Sequence, residues 1–359
     1  MVSIMFAELG LEGWTPVAAS VVLGLILGAL FGVLAQRSRF CLRRGLAGPV
    51  EERRSALSTW LMGLAVAVGG TAALAQYGFV DFSTHRFWAQ TVPVLAIALG
   101  GVLFGVGMVL TRGCASRLTV LAGTGNLRAI VTIVVFAVIA HATIKGVLAP
   151  LRVWLGGFTV DAGAPASLAH FFGGALVPGA VIALALAAYA IYTHERWSDL
   201  LMGALVGTLV PLSWVGTGYI LFDEFDPIAL QSVAFTLPGS ETLFYVVAGS
   251  AIAPGFGVGF IGGVLAGSLV AALAFGEFKV VGFERDTPVG RYLVGGSLMG
   301  FGGVLAGGCT VGAGLAGVAT LGFSAIIALA SIVAGAVAAR VVLERGSALP
   351  AGAGLVPAE

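Results

Sequence analysis

The charged residues of this 359-residue chain are gathered into short stretches, and between them lie apolar runs long enough to cross a bilayer. Residues 17–35 form one such run, and about 20 apolar residues in a helix span roughly 30 Å of hydrocarbon. Charged residues make up 10% of the chain, where a soluble domain carries about one quarter. The first run is not a secretory signal, because no basic segment precedes it and it ends in Arg37 and Arg39 rather than at a small-residue cleavage site. The expected fold is an all-α integral membrane protein, multi-pass, in a single transmembrane domain over residues 1–359. Fifty-five glycines permit both close helix contact and breaks inside the membrane.

Other features exclude function classes. A net charge of +1 selects no partner and gives no case for nucleic acid. Three cysteines, an odd count, argue against a disulfide framework, and no CxxC pair occurs. The four histidines (His85, His141, His170, His194) lie more than a helical turn apart, which disfavours a metal site. Glycine pairs lack a strand–turn–helix context or a following GKS, so they read as helix-packing grooves rather than a nucleotide loop. No cofactor is expected.

Nine crossings are predicted, at about 16–36, 55–77, 91–111, 129–149, 169–192, 199–220, 242–275, 293–307 and 322–343. The seventh is too long for one straight helix, and Ala253-Pro254-Gly255-Phe256-Gly257 is expected to break it. Basic loops mark the cytoplasmic side. Six arginines lie in 37–54, and Arg112/Arg117/Arg128, His194/Arg196, Lys279/Arg285/Arg291 and Arg340/Arg345 fall on the same side. The acidic stretch 221–241 falls outside, which puts the N-terminus out and the C-terminus in.

A repeat runs through this count. Residues 100–114 read GGVLFGVGMVLTRGC and residues 295–309 read GGSLMGFGGVLAGGC, 195 positions apart, with Cys114 and Cys309 closing the copies. A weaker match links residues 28–34 with 203–209. Both matches are displaced by five crossings, an odd number, so the halves are expected to be inverted. Repeat one covers about 16–150, a linker helix about 169–192, and repeat two about 199–345. Inverted repeats place substrate near the midplane and build the site from broken helices.

Each motif is followed by a stretch too short to span, and the same holds after the first crossing near Cys41. These read as re-entrant hairpins, with Gly113 and Gly308 supplying the turn. Cys114 and Cys309 would then start half-helices, where free N–H groups favour an anion. Hairpins dipping from opposite faces would bring the two thiols toward each other, with Cys41 adding a third to a column. The repeat mate of Cys41 is Gly216, a vacancy. Arg43 and Arg44 read first as positive-inside anchors on lipid headgroups. His141 and Lys145 in the fourth crossing are candidate relay groups, although Lys145 lies where it can snorkel. Trp88, Trp154 and Trp197 read as interfacial belt residues.

Three stretches carry a resemblance. Ser38-Arg39-Phe40-Cys41, Arg112-Gly113-Cys114-Ala115-Ser116-Arg117-Leu118 and Gly307-Gly308-Cys309-Thr310-Val311-Gly312-Ala313-Gly314-Leu315 resemble the three signatures of the YeeE/YedE sulphur-transport family, in the family's order and over nearly the whole chain. The resemblance implies a bacterial inner-membrane importer of thiosulfate, not an enzyme. Its path would be lined by Cys41, Cys114 and Cys309, with Arg39, Gly113, Gly308 and Thr310 in the matching motifs. It also implies a small TusA-like sulphur carrier in the cytoplasm. Ala115-Ser116 departs from the proline-containing version of many relatives. A transporter of another small sulphur or selenium anion is the alternative reading. A membrane thiol redox protein or sulphurtransferase is a weaker one, since no acid–base pair lies beside a cysteine.

Overall fold

The computed structural model describes residues 13–251, 253–283 and 288–347; Arg285 of the basic loops lies outside them. The chain begins with α1 (Pro16–Ser38), short α2 (Leu42–Ala47), α3 (Val50–Gln76), α4 (Val94–Leu110), short α5 (Ala115–Gly123) and α6 (Leu127–Lys145). Then come α7 (Ala149–Gly156), α8 (Leu168–Phe171), α9 (Leu176–Thr193) and α10 (Trp197–Val215). It closes with α11 (Thr236–Ala248), α12 (Phe256–Ala274), α13 (Val289–Leu305) and α14 (Phe323–Ser347). Eight segments are long and apolar enough to cross a membrane, and α13, at 17 residues, adds a ninth long helix among the described residues. The protein is an all-α, multi-pass membrane protein. The expected seventh crossing is two helices, α11 and α12, interrupted around Pro254, and α11 starts six residues earlier than the sequence suggests.

Local chemistry sets the helix ends. Thr15 caps α1 by accepting from the Ala18 N–H at 3.1 Å, and Pro16 occupies the first turn, where its missing donor costs nothing. Asn126 caps α6 in the same way, accepting from Ala129 at 3.1 Å. Glu51 and Glu52 sit at the positive end of α3.

Glycines bring helix backbones into contact. A Cβ at Gly24, Gly28 or Gly32 of α1 would lie 2.1–2.4 Å from a carbonyl oxygen of α12, and one at Gly259, Gly263 or Gly267 of α12 would lie 2.1–2.2 Å from a carbonyl of α1. The two helices thus interlock with no side chain between them, which suits dispersion and Cα–H···O contacts in lipid. The α3–α10 seam is similar, with Gly203 against Thr59 and Gly207 against Gly63. So is α4–α13, which runs antiparallel: Gly100 faces Gly302 and Ala306, while Gly107 faces Gly295. Pairings are reciprocal, because α1 packs on α12 as α3 packs on α10, and α6 packs on α13 as α14 packs on α4.

The loop before α4 folds over the last turn before α14. Trp88 donates its indole N–H to the Thr320 carbonyl at 2.8 Å, and β1 (Thr91–Val92) pairs antiparallel with β2 (Val160–Asp161). Trp88 is therefore tied into the protein, because its donor finds a backbone acceptor there. Trp154 and Trp197, at 61% and 67% exposure, lie on the outside.

Candidate functional site

Three helices end the same way. Arg39, Arg112 and Gly307 each adopt the left-handed backbone conformation, at φ 52°, 57° and 73°, and each stands two residues before a cysteine. The turn expected at Gly113 is thus made by Arg112, one residue earlier; Gly113 keeps room against Leu118, whose side chain is 3.1 Å from its virtual Cβ. Gly308 is required by close approach, since a Cβ there would lie 2.6 Å from the Ala313 nitrogen. Non-glycine residues in this conformation cost about 1 kcal/mol or more, and such strain collects at functional positions.

After each turn a short helix begins. Cys41 stands at the N-cap of α2 and Cys114 at that of α5, and neither sulfur caps its own helix. Cys309 precedes a π-helical turn (Gly312–Gly317), with its carbonyl accepting from the Ala313 N–H at 2.9 Å. All three thiols are free and buried, at 5%, 1% and 0% exposure. The Gly216 position is built differently: α10 runs directly into a π turn (Gly216–Ile220), and a Cβ at Gly216 would meet Leu23 at 2.5 Å.

The thiols in contact are Cys41 and Cys114, Sγ to Sγ 3.5 Å, and the Ser116 hydroxyl lies 3.2 Å from the Cys114 sulfur. Cys309 stands apart from this pair. The antiparallel α4–α13 register explains why: Cys114 follows the end of α4 that faces Gly295, and Cys309 follows the end of α13 that faces Gly100. The thiols occupy two levels of the core rather than one centre. The Cys309 sulfur accepts from the Gly312 N–H at 3.3 Å. Phe31, Phe235 and Phe260 pack ring to ring in the same core, with centroids 5.3–5.8 Å apart.

Two arginines, Arg43 and Arg117, stand near the Cys41–Cys114 pair, and further arginines stand near those two. Arg43 lies within electrostatic reach of Cys41, Cys114, Arg112 and Arg291, and Arg117 within reach of both thiols, Arg39 and Arg44. Arg117 donates to the Ala35 carbonyl and to Gln36 Oε1, both at 3.4 Å, and Gln36 donates onward to Glu277 at 2.8 Å. Arg291 reaches the Val109 carbonyl at 3.5 Å. These two thereby also neutralise the negative C-terminal ends of α1 and α4. Ion pairs among the described residues join Arg44 to Glu52 at 2.6 Å, and Arg53 and Arg340 to Glu344. None involves Arg39, Arg43, Arg112, Arg117 or Arg291. Arg43 was expected to face lipid headgroups; instead its Nε is buried beside the thiols without a hydrogen-bond partner. Arg39 itself is exposed.

At the other end, α6 and α11 enclose a cavity of about 210 Å³ lined by His141, Lys145, Gln231, Ser240 and Glu241 among others. His141 is 3.2 Å from the Ser240 hydroxyl and stacks on Phe244 at 3.6 Å. Thr310 is buried, and its hydroxyl has no partner. No cluster of metal-ligating side chains occurs among the described residues.

Sequence reasoning had Arg43 close to Cys41 in the chain but read it first as a headgroup anchor, and it missed Ser116. A signal for the pairing was present: an odd number of crossings between the copies places Cys114 and Cys309 at opposite faces, and Cys41 and Cys114 on one side.

Residues 37–338 match the model of a family described as Sulphur transport. The chain is 26% identical over 343 residues to a thiosulfate transporter, TsuA, of Escherichia coli strain K12, covering 88% of this chain and 92% of that one. It is 27% identical over 321 residues to a thiosulfate transporter TsuA of Spirochaeta thermophila, covering 85% and 93%.

Proposed function

Because the chain belongs to the Sulphur transport family, we propose that it imports thiosulfate across the bacterial inner membrane through a path lined by thiols. The names of its relatives support the anion. The observation that carries the path is the Cys41–Cys114 contact at 3.5 Å, buried and set near Arg43 and Arg117, neither of which forms an ion pair among the described residues.

A dianion pays heavily to leave water, and partial positive charge offsets that cost without trapping the ion. Thiosulfate would meet Cys309 and Thr310 first, then Cys114 and Cys41, and then the arginine group on the cytoplasmic side. Thiols are weak donors, so each contact is shallow. Successive shallow sites suit conduction, because an ion must leave each one. The first turn of α5 adds backbone donors beside Cys114. The thiols act as neutral donors, since a thiolate would repel the solute. The breaks after α1, α4 and α13 read as re-entrant hairpins of two inverted repeats, a reading supported by the reciprocal helix pairings. The protein is a carrier rather than an enzyme. On the cytoplasmic side, a TusA-like sulphur carrier would receive the anion.

Growth on thiosulfate as sole sulphur source, in a strain lacking its own importer, tests this reading. The wild type should restore growth, Cys114→Ala and Cys309→Ala should not, and the serine variants should retain part of it by keeping a donor. Growth of both alanine variants at the wild-type rate would end the thiol path. Another small sulphur or selenium oxyanion would pass by the same chemistry, and competition by unlabelled anions during uptake separates them.

A further inference from the structure

We propose that Thr236, at the start of α11, is a further substrate-binding residue: with Thr310 and Cys309 it forms an outer subsite for a small oxyanion. The proposal deepens the transport reading and rests on it. The 13-residue α11 begins in the protein interior, and its N-cap, Phe235, has a side chain that caps nothing. Thr236 is 5% exposed and Thr310 1%, and neither hydroxyl has a hydrogen-bond partner. Buried hydroxyls almost always find a partner, so two orphans, one next to Cys309 in the chain and one on the segment that packs at Gly312, call for an occupant.

Placement supports a shared space. A Cβ at Gly303 of α13 would lie 3.2 Å from the Thr236 hydroxyl oxygen and 3.2 Å from the Phe104 ring. Six residues on, the α13 chain reaches Cys309. A Cβ at Gly312 would touch Ala234, two residues before Thr236, at 3.1 Å and the Cys309 sulfur at 3.8 Å. The segment leading into α11 therefore packs against the thiol. The Cys309 sulfur already accepts from Gly312, so its S–H remains to donate. Thr236, Thr310 and Cys309 thus offer O–H and S–H donors beside the positive end of a helix. The next residues of α11, Leu237, Ser240 and Glu241, line the cavity that holds His141 and Lys145. An anion entering from that cavity would meet Thr236 before the deeper thiols.

Initial rates of radiolabelled thiosulfate uptake, in cells lacking their own importer, test the subsite with Thr236→Val and Thr236→Ser. Losing one hydrogen bond to an anion is expected to raise the apparent KM about tenfold in Thr236→Val, with the maximal rate within about twofold of wild type. Thr236→Ser keeps the hydroxyl and should keep the wild-type KM. A valine variant with unchanged KM overturns the subsite, and so does a serine variant impaired as much as the valine. Should Thr236→Val not reach the membrane, Thr310→Val carries the same test, and an unchanged KM there overturns the subsite equally. Wild-type cells that take up no thiosulfate would end the transport reading and the subsite together; wild-type uptake with indifferent variants ends the subsite alone.

Discussion

Gly262 and Gly263 are neighbours in α12, and the same substitution should move stability in opposite directions at the two. A Cβ at Gly263 would sit 2.2 Å from the Leu25 carbonyl oxygen and 2.8 Å from the Ala29 nitrogen. Ordinary contact begins near 3.4 Å, and the obstructing atoms are α1 backbone, so Gly263→Ala must open the α1–α12 seam by about 1 Å. Overpacking of this kind costs about 1–3 kcal/mol. At Gly262 a Cβ meets nothing within 4 Å. Gly262→Ala therefore keeps only the helix-propensity gain of about 0.5–1 kcal/mol. Thermal unfolding in detergent should show Gly263→Ala lowered and Gly262→Ala unchanged or raised. Uptake should follow, because α1 ends three residues before Cys41 and an opened seam shifts that thiol from Cys114. Equal shifts at the two sites would refute the interlocked seam.

Mild oxidation with copper phenanthroline should join Cys41 to Cys114, whose sulfurs need to close from 3.5 Å to about 2 Å, and leave Cys309 open to maleimide under denaturing conditions; mass spectrometry reads the pairing, and a bond to Cys309 would contradict the two levels. Arg43→Gln should lower uptake roughly tenfold by removing the cation beside the thiols, while Arg44→Gln, whose partly exposed pair with Glu52 is worth little, should change it less than twofold. His85 lies against Phe82 and Trp214 and accepts from the Phe87 N–H at 3.3 Å, and burial, with Arg86 adding to it, pushes its pKa down to about 4. Unfolding lets it bind a proton below about pH 6.5, so its share of stability is lost as pH falls from there toward 4. His85→Gln should flatten that limb of the thermal stability profile.

The crossings, the break before α12 and the existence of a chain break near each cysteine were legible because they depend on local pattern: apolar length, proline, and a following stretch too short to span. The inverted hairpins were expected to bring Cys114 and Cys309 together, whereas the thiol contact is between Cys41 and Cys114. Arg43 was not legible. An arginine after a crossing usually faces headgroups, and only the fold of α2 turns this one toward the thiols. The Trp88 contact was not legible either, since its indole meets the Thr320 carbonyl, 232 residues away. Thr236 carries no motif, and the orphan state of its hydroxyl is a property of packing. The left-handed turn at Arg112 was likewise invisible, because glycine next door is the better guess on propensity alone.

The backbone-to-backbone seams limit how the protein can move. Helices from the first 150 residues lock onto helices from residue 197 onward at α1–α12, α3–α10 and α4–α13, with carbonyls seated where a methyl group would not fit. A cycle that swings one bundle against the other would have to unzip all three junctions at once. The frame is better suited to stand still while short segments such as α2, α5 and the π turn after Cys309 shift by an ångström or two. Turnover would then be governed by small, local adjustments, and the membrane around the protein would feel almost none of it.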